Sequence, residues 1–141
     1  MHFEVQRLHQ LHDEIKRVCK RVQRNPEDIA VVAATKYASV EQINTLISAG
    51  IRIVGENRVQ DAQKKFPLLL PCERRFIGTL QTNKVRQALK LFRMIESVDR
   101  IELATAIEKE CDSMDMKIPV LVQVNVAKDS KKHGIKPSET F

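Results

Sequence analysis

Tryptophan is missing from this chain, tyrosine occurs once, and aromatic residues make up only 4% of the total. A nucleic-acid surface built on base stacking needs rings interleaved with cations, and no rings accompany Lys16, Arg17, Lys20, Arg21 and Arg24. Those cations fall near the end of a first helix, where they complement its dipole, so the formal net charge of +6 implies no nucleic-acid partner. Cysteine is scarce too. Cys19, Cys72 and Cys111 are far apart, odd in number and without a Cys-x-x-Cys pair, unlike a disulfide framework or a zinc knuckle. No stretch approaches the roughly 20 consecutive apolar residues of a membrane span, and the N-terminus lacks the basic and apolar segments of an export signal. A cytoplasmic protein with no membrane partner is expected. His9, His12 and Asp13 share a helix face, but no further ligands complete a site, and no metal is expected. With 43% hydrophobic residues and only 4 glycines and 5 prolines, neither disorder nor a collagen repeat suits the chain; residues 1–141 read as one globular unit.

What the chain does have is alternation. Leu8, Leu11, Ile15, Val18 and Val22 recur at steps of three and four, which predicts an amphipathic helix ending near Asn25-Pro26. The run Ile29 to Ala34 is wholly apolar, the pattern of a parallel strand buried on both faces. Ser39 with Gln42 predicts a capping box, and Gly50 closes the helix that follows. Further strands are predicted at Ile51 to Val54, Phe76-Ile77, Met94 to Val98 and Val120 to Val126. Helices are predicted at Arg58 to Lys65, Val85 to Leu91 and Ile101 to about Met114. Strand and helix in regular succession argue for an α/β fold on a parallel sheet.

Neither Gly-x-Gly-x-x-Gly after the first strand nor a Gly-x-x-x-x-Gly-Lys-Ser/Thr loop occurs, which shifts weight from an open nucleotide-binding sheet to a barrel. A complete (β/α)₈ barrel takes about 250 residues, so five predicted strands make an incomplete one, with exposed strand edges through which it self-associates.

In such barrels the C-terminal strand ends carry the site. Lys36 follows the first strand directly, where partial desolvation favours a neutral amine able to attack an aldehyde and form a Schiff base. A plain solvated lysine at a strand end is the alternative, and position alone leaves both open. Polar residues recur at the same level: Asn57, Gln81, Asn83, Ser97, Asp99 and Asn125. Asn83, Ser97 and Asp99 stand where helix N-caps are expected, whereas Asn57 and Asn125 remain candidates for ligand binding.

Thr35-Lys36, Gly55-Glu56-Asn57-x-Val59-Gln60, Phe76-Ile77-Gly78-Thr79-Leu80-Gln81-Thr82-Asn83-Lys84, Ser97-Val98-Asp99 and Gln123-Val124-Asn125 occur in order between about Val31 and Gly134. In this the chain resembles the pyridoxal phosphate homeostasis (YggS/PROSC) family. The resemblance implies the alanine-racemase N-terminal-domain barrel of fold-type III pyridoxal enzymes, here about five of eight strands, with pyridoxal 5'-phosphate (PLP) held as a Schiff base on Lys36. It implies a protein of intracellular vitamin B6 homeostasis that carries its cofactor without established catalysis, in a family whose members are mostly monomeric.

Four positions depart from the family pattern. Arg75 stands for the usual His, Tyr37 for a Pro, and Lys128 and Lys131 for a Gly and a Ser. The family's phosphate-binding Ser- and Gly-containing loops belong to later strands than this chain reaches. Two rival readings follow: a racemase-like PLP enzyme, which needs a second acid/base group, and a truncated fragment without activity.

Overall fold

The structure, a computed structural model, describes residues 3–127, 129 and 133–140. Helix α1 (Phe3–Arg21) buries Leu8 and Cys19 but leaves Leu11 exposed, and Val22, just past its end, is exposed too, so its apolar stripe is narrower than the spacing predicts. Gln23, at a positive φ, ends the helix, and Asn25 caps a short 3₁₀ turn ahead of the first strand.

Five strands follow: β1 (Val32–Ala34), β2 (Ile53–Glu56), β3 (Glu73–Phe76), β4 (Met94–Val98) and β5 (Val120–Val122). They form one sheet in the order β1-β2-β3-β4-β5, every neighbouring pair parallel. Between them run α2 (Val40–Ser48), α3 (Val59–Lys65), α4 (Val85–Leu91) and α5 (Ile101–Ser113). The capping box forms as predicted, with the Gln42 N–H donating to Ser39 and the Ser39 N–H donating to Gln42. Gly50, at φ 111°, follows the end of α2.

One face of the sheet meets the helices. Val54, Phe76 and Ile95 from the strands pack with Val59, Ala62, Leu89 and Leu103 from the helices. Phe92 sits edge-on to both Phe66 and Phe76, with ring centroids 5.2 Å apart in each pair. Each such aromatic side chain contributes roughly 1.5–3 kcal/mol by burial.

Several strand expectations are corrected: β1 begins at Val32 rather than Ile29, and β5 ends at Val122 rather than Val126. β1 is not buried on both faces: it is an edge strand, and Ala34 is exposed while Val32 and Ala33 are half-buried. β2 begins and ends later than predicted: Gly55 pairs with Ala34 of β1 and Glu56 with Phe76 of β3, which draws both into the ladder. β3 begins at Glu73 rather than Phe76, since the charged run Glu73-Arg74-Arg75 pairs with β2 despite its polarity. Alternation along β3 explains that polarity. Arg74 points with Phe76 to the helix side, where it lies over the Phe66 ring and donates to the Phe66 carbonyl. Arg75 takes the other face.

Candidate functional site

The C-terminal ends of the strands form a rim, and β1 delivers Lys36 to it on a turn. The Ala38 N–H donates to the Thr35 carbonyl at 3.0 Å, leaving Lys36 and Tyr37 as the two central residues of that turn. Both side chains are exposed, and the Lys36 ammonium lies 4.9 Å from the centroid of the Tyr37 ring. Lys36 is thus exposed, against the partial desolvation expected of it: β1 is an edge of the sheet, and none of the described residues covers the turn.

Beneath the turn lies a network that sequence reasoning missed. Glu56 at the end of β2 is fully buried, and Lys65, on the last turn of α3, donates to its Oε1 at 2.7 Å. The same ammonium donates to the Thr35 carbonyl at 2.8 Å. The Thr35 hydroxyl has two acceptors in reach, Glu56 Oε1 at 2.9 Å and the Gly55 carbonyl at 3.1 Å. A carboxylate closing an otherwise apolar strand was the available signal, because a buried charge needs a partner and the next helix supplies lysines.

The connections after β2 and β3 press together. A Cβ on Gly78 would lie 2.2 Å from the Asn57 carbonyl oxygen, so only glycine fits there. Ser97 donates its hydroxyl to the Gly78 carbonyl, fixing the same crossing from the β4 side. Asn57 lines a cleft of about 370 Å³ together with Thr79, Gln81 and Lys84. Past β4, Arg100 donates to Asp99 at 2.6 Å and to the Leu80 carbonyl at 2.9 Å.

The connection after β5 is tied back on itself. The Asn125 amide donates to the Asp129 carbonyl at 2.8 Å, and the Asp129 N–H donates to Asn125 Oδ1 at 3.2 Å. The Asn125 N–H reaches the Ile135 carbonyl and the Ile135 N–H the Gln123 carbonyl, both at 2.9 Å, beside Gly134 at φ 125°. Lys128 and Lys131, two of the departures from the family pattern, lie outside the described residues.

The capping roles expected of Asn83, Ser97 and Asp99 are not the ones found. Asn83 lies inside a 3₁₀ turn, Ser97 bonds Gly78, and Asp99 pairs with Arg100. The residues at the N-cap positions of α4 and α5 are Lys84 and Arg100, neither capping with its side chain.

Arg75 on the face away from the helices bonds Glu73 at 2.6 Å and Glu96 at 3.0 Å. Burial works against its charge, but the hydrogen bonds to Glu73 and Glu96 outweigh it and hold its pKa above the ordinary arginine value. It is a fixed cation, already occupied. Burial, with the Asp112 charge second, pushes the Cys111 thiol up, so the protonated thiol packs against the core. Among the described residues no cluster of three or more His, Cys, Asp or Glu is arranged to hold a metal, and no helix is long and apolar enough to cross a membrane.

No family model matches the chain. It is 35% identical over 134 residues to the pyridoxal phosphate homeostasis protein of Aquifex aeolicus, covering 94% of this chain and 59% of that protein. Against the protein of the same name from Helicobacter pylori the identity is 39% over 116 residues, covering 80% and 52%. The chain thus spans a little over half the length of these curated relatives. Among solved structures, PipY of Synechococcus elongatus without PLP superposes with a TM-score of 0.74 at 31% identity, over 88% of this chain and 59% of that one. The PLP-bound form of PipY gives 0.69 at 28% identity, over 88% and 58%. An alanine racemase of Clostridium difficile matches at 0.71 over 96% of this chain and 34% of that one; its 16% identity speaks to fold alone, and makes the sheet an arc of a TIM barrel. Across most of its own length, then, the chain is similar to a little over half the length of proteins named pyridoxal phosphate homeostasis protein.

Proposed function

We propose that this chain binds PLP at the rim through Lys36 and serves intracellular vitamin B6 homeostasis as a cytoplasmic carrier of a reactive aldehyde, not as an enzyme. The observation that carries the reading is the Lys36 turn: an exposed primary amine on a hydrogen-bonded turn at the C-terminal end of a barrel strand. The PLP-bound form of the PipY neighbour and the names of the curated relatives support it.

The residues present suit such a group. PLP, when bound, supplies an electrophilic aldehyde. Lys36 would hold that group through its side-chain nitrogen, as a Schiff base formed with loss of water. Tyr37 provides an apolar surface beside the amine, and Asn57 offers a polar side chain from the cleft between β2 and β3. Asn125 contributes by shaping the connection after β5, its amide being engaged with Asp129. Binding without turnover agrees with Arg75, which stands where the family pattern implied by the resemblance has His: a guanidinium held between two carboxylates does not exchange protons at neutral pH.

The test is to mix the chain with PLP, follow the absorbance band of the lysine-bound cofactor, reduce with borohydride and map the modified residue. Label concentrated on Lys36, and lost in Lys36→Ala with the far-ultraviolet circular dichroism unchanged, is the expected result. An even spread over many lysines refutes the reading.

A further inference from the structure

We propose that Lys65, held by Glu56, is a positioning residue for Lys36: its ammonium fixes the peptide carbonyl from which the Lys36 turn springs. The inference rests on the reading of Lys36 as the cofactor anchor, and extends it to two side chains that lie beneath the turn.

Burial sets up the argument. The Glu56 side chain is 0% exposed and that of Lys65 18%. Glu56 Oε1 takes both the ammonium and the Thr35 hydroxyl, while Oε2 is buried with no hydrogen-bond partner among the described residues. Taking such a pair out of water costs about as much as its mutual attraction returns, and a well-packed apolar pair would stabilise the sheet at least as well. Stability alone does not account for it.

What an apolar pair could not do is donate to a carbonyl. Thr35 is tied to β2 by its N–H, which donates to the Gly55 carbonyl at 2.9 Å. Its own carbonyl receives two donors, the Ala38 N–H at 3.0 Å and the Lys65 ammonium at 2.8 Å. That carbonyl belongs to the peptide plane joining Thr35 to Lys36, so its orientation sets the direction in which the Lys36 side chain leaves the backbone. The turn bond alone leaves this plane free to rock at an exposed sheet edge. The ammonium pins it, and Glu56 pins the ammonium. β2 and α3 thereby hold a residue that β1, an edge strand, holds weakly.

The experiment uses the full chain and the double variant Glu56→Gln with Lys65→Met, which removes both charges together and strands neither. Two quantities are read: hydrogen-exchange protection of the Ala38 amide, which needs no ligand, and the site distribution of borohydride-trapped PLP. With circular dichroism unchanged, Ala38 protection is expected to fall at least tenfold, and the Lys36 share of the label to drop to that of other exposed lysines. Lys65→Arg, which keeps a charged donor, restores part of both. Should the double variant fail to fold, Glu56→Gln alone tests the same link, because the released Lys65 reaches solvent; the same losses in smaller degree are expected. Unchanged protection in a folded variant overturns the proposal, as does lost protection with undiminished labelling of Lys36. If the native chain shows no selective label at Lys36 while Ala38 protection still depends on Lys65, the anchor reading falls and the clamp on the turn is upheld.

Discussion

β2 carries a carboxylate and is buried at all four positions; β5 is made of Val120, Leu121 and Val122 alone and is exposed at all three. Side-chain chemistry runs opposite to burial here, and the neighbours explain why. β2 lies between β1 and β3, under α3, and Lys65 neutralises its one charge. β5 pairs on one side only, with β4. An aliphatic strand with a free edge is a surface for another strand. The apolar character of a segment thus reports what it is suited to pack against, and its place in the sheet decides whether that partner is there.

The sharpest way to break this comparison is a pair of truncations. Phe92→Ala removes a ring packed against two others in the core and is expected to cost about 3–5 kcal/mol. Val122→Ala, at a position 54% exposed, is expected to cost under about 0.5 kcal/mol. Urea unfolding midpoints of the two variants decide it, and equal losses would show that β5 is covered in solution.

A second pair moves from side chains to backbone. Gly78→Ala drives a methyl into the Asn57 carbonyl between the inner strands and is expected to cost roughly 2–3 kcal/mol, as overpacking does. Gly50→Ala meets nothing within 4 Å and bears only the strain of its positive φ, about 1 kcal/mol. Thermal melts with a larger drop for Gly50 would place the tight crossing elsewhere.

The smallest effect belongs to the surface. Arg17 donates two hydrogen bonds to Glu14 on α1, and chiefly through them lowers the Glu14 pKa from its ordinary 4.5. A depressed carboxylate contributes stability above its unfolded pKa and loses it as the pH falls through the folded one. Both side chains are more than half exposed, so the contribution is slight and screened by salt. Glu14→Gln is expected to melt marginally earlier at neutral pH, with the difference gone in strong acid or high salt. A difference that persists in acid would point to packing instead of charge.

These contrasts also mark what could be read beforehand. Met94 to Val98 and Val85 to Leu91 were placed at their observed bounds because each is a run with clear periodicity and definite ends. The Ser39–Gln42 box was legible because it is local. Glu73 to Arg75 was not, since a strand whose faces hold Arg74 against Phe66 and Arg75 between two glutamates shows no apolar alternation. The Lys36 position followed from the strand before it, whereas Glu56, Lys65 and Thr35 are joined by tertiary contacts across 9, 21 and 30 residues of chain. Ser97 and Asp99 looked like caps because cap chemistry and loop-bracing chemistry use the same side chains.

The strap after β5 bears on how freely the chain can change its length. Gln123 and Ile135, Asn125 and Ile135, and the Gln123 side chain with the His133 carbonyl hold the two ends of that connection together at 2.9 Å each. Once the ends of a loop are fixed, the entropy of closing it grows only logarithmically with its length, about 0.6 kcal/mol per doubling. Residues inserted within the strap leave its pinned ends and the sheet almost unaffected. The crossing of Gly78 over Asn57 has no such slack: an inserted residue there moves the backbone of two strands at once. Evolution and protein engineering therefore meet two kinds of connection on one rim: one beyond β5 whose pinned ends leave its length open to change, and one where Gly78 crosses Asn57 whose length is fixed.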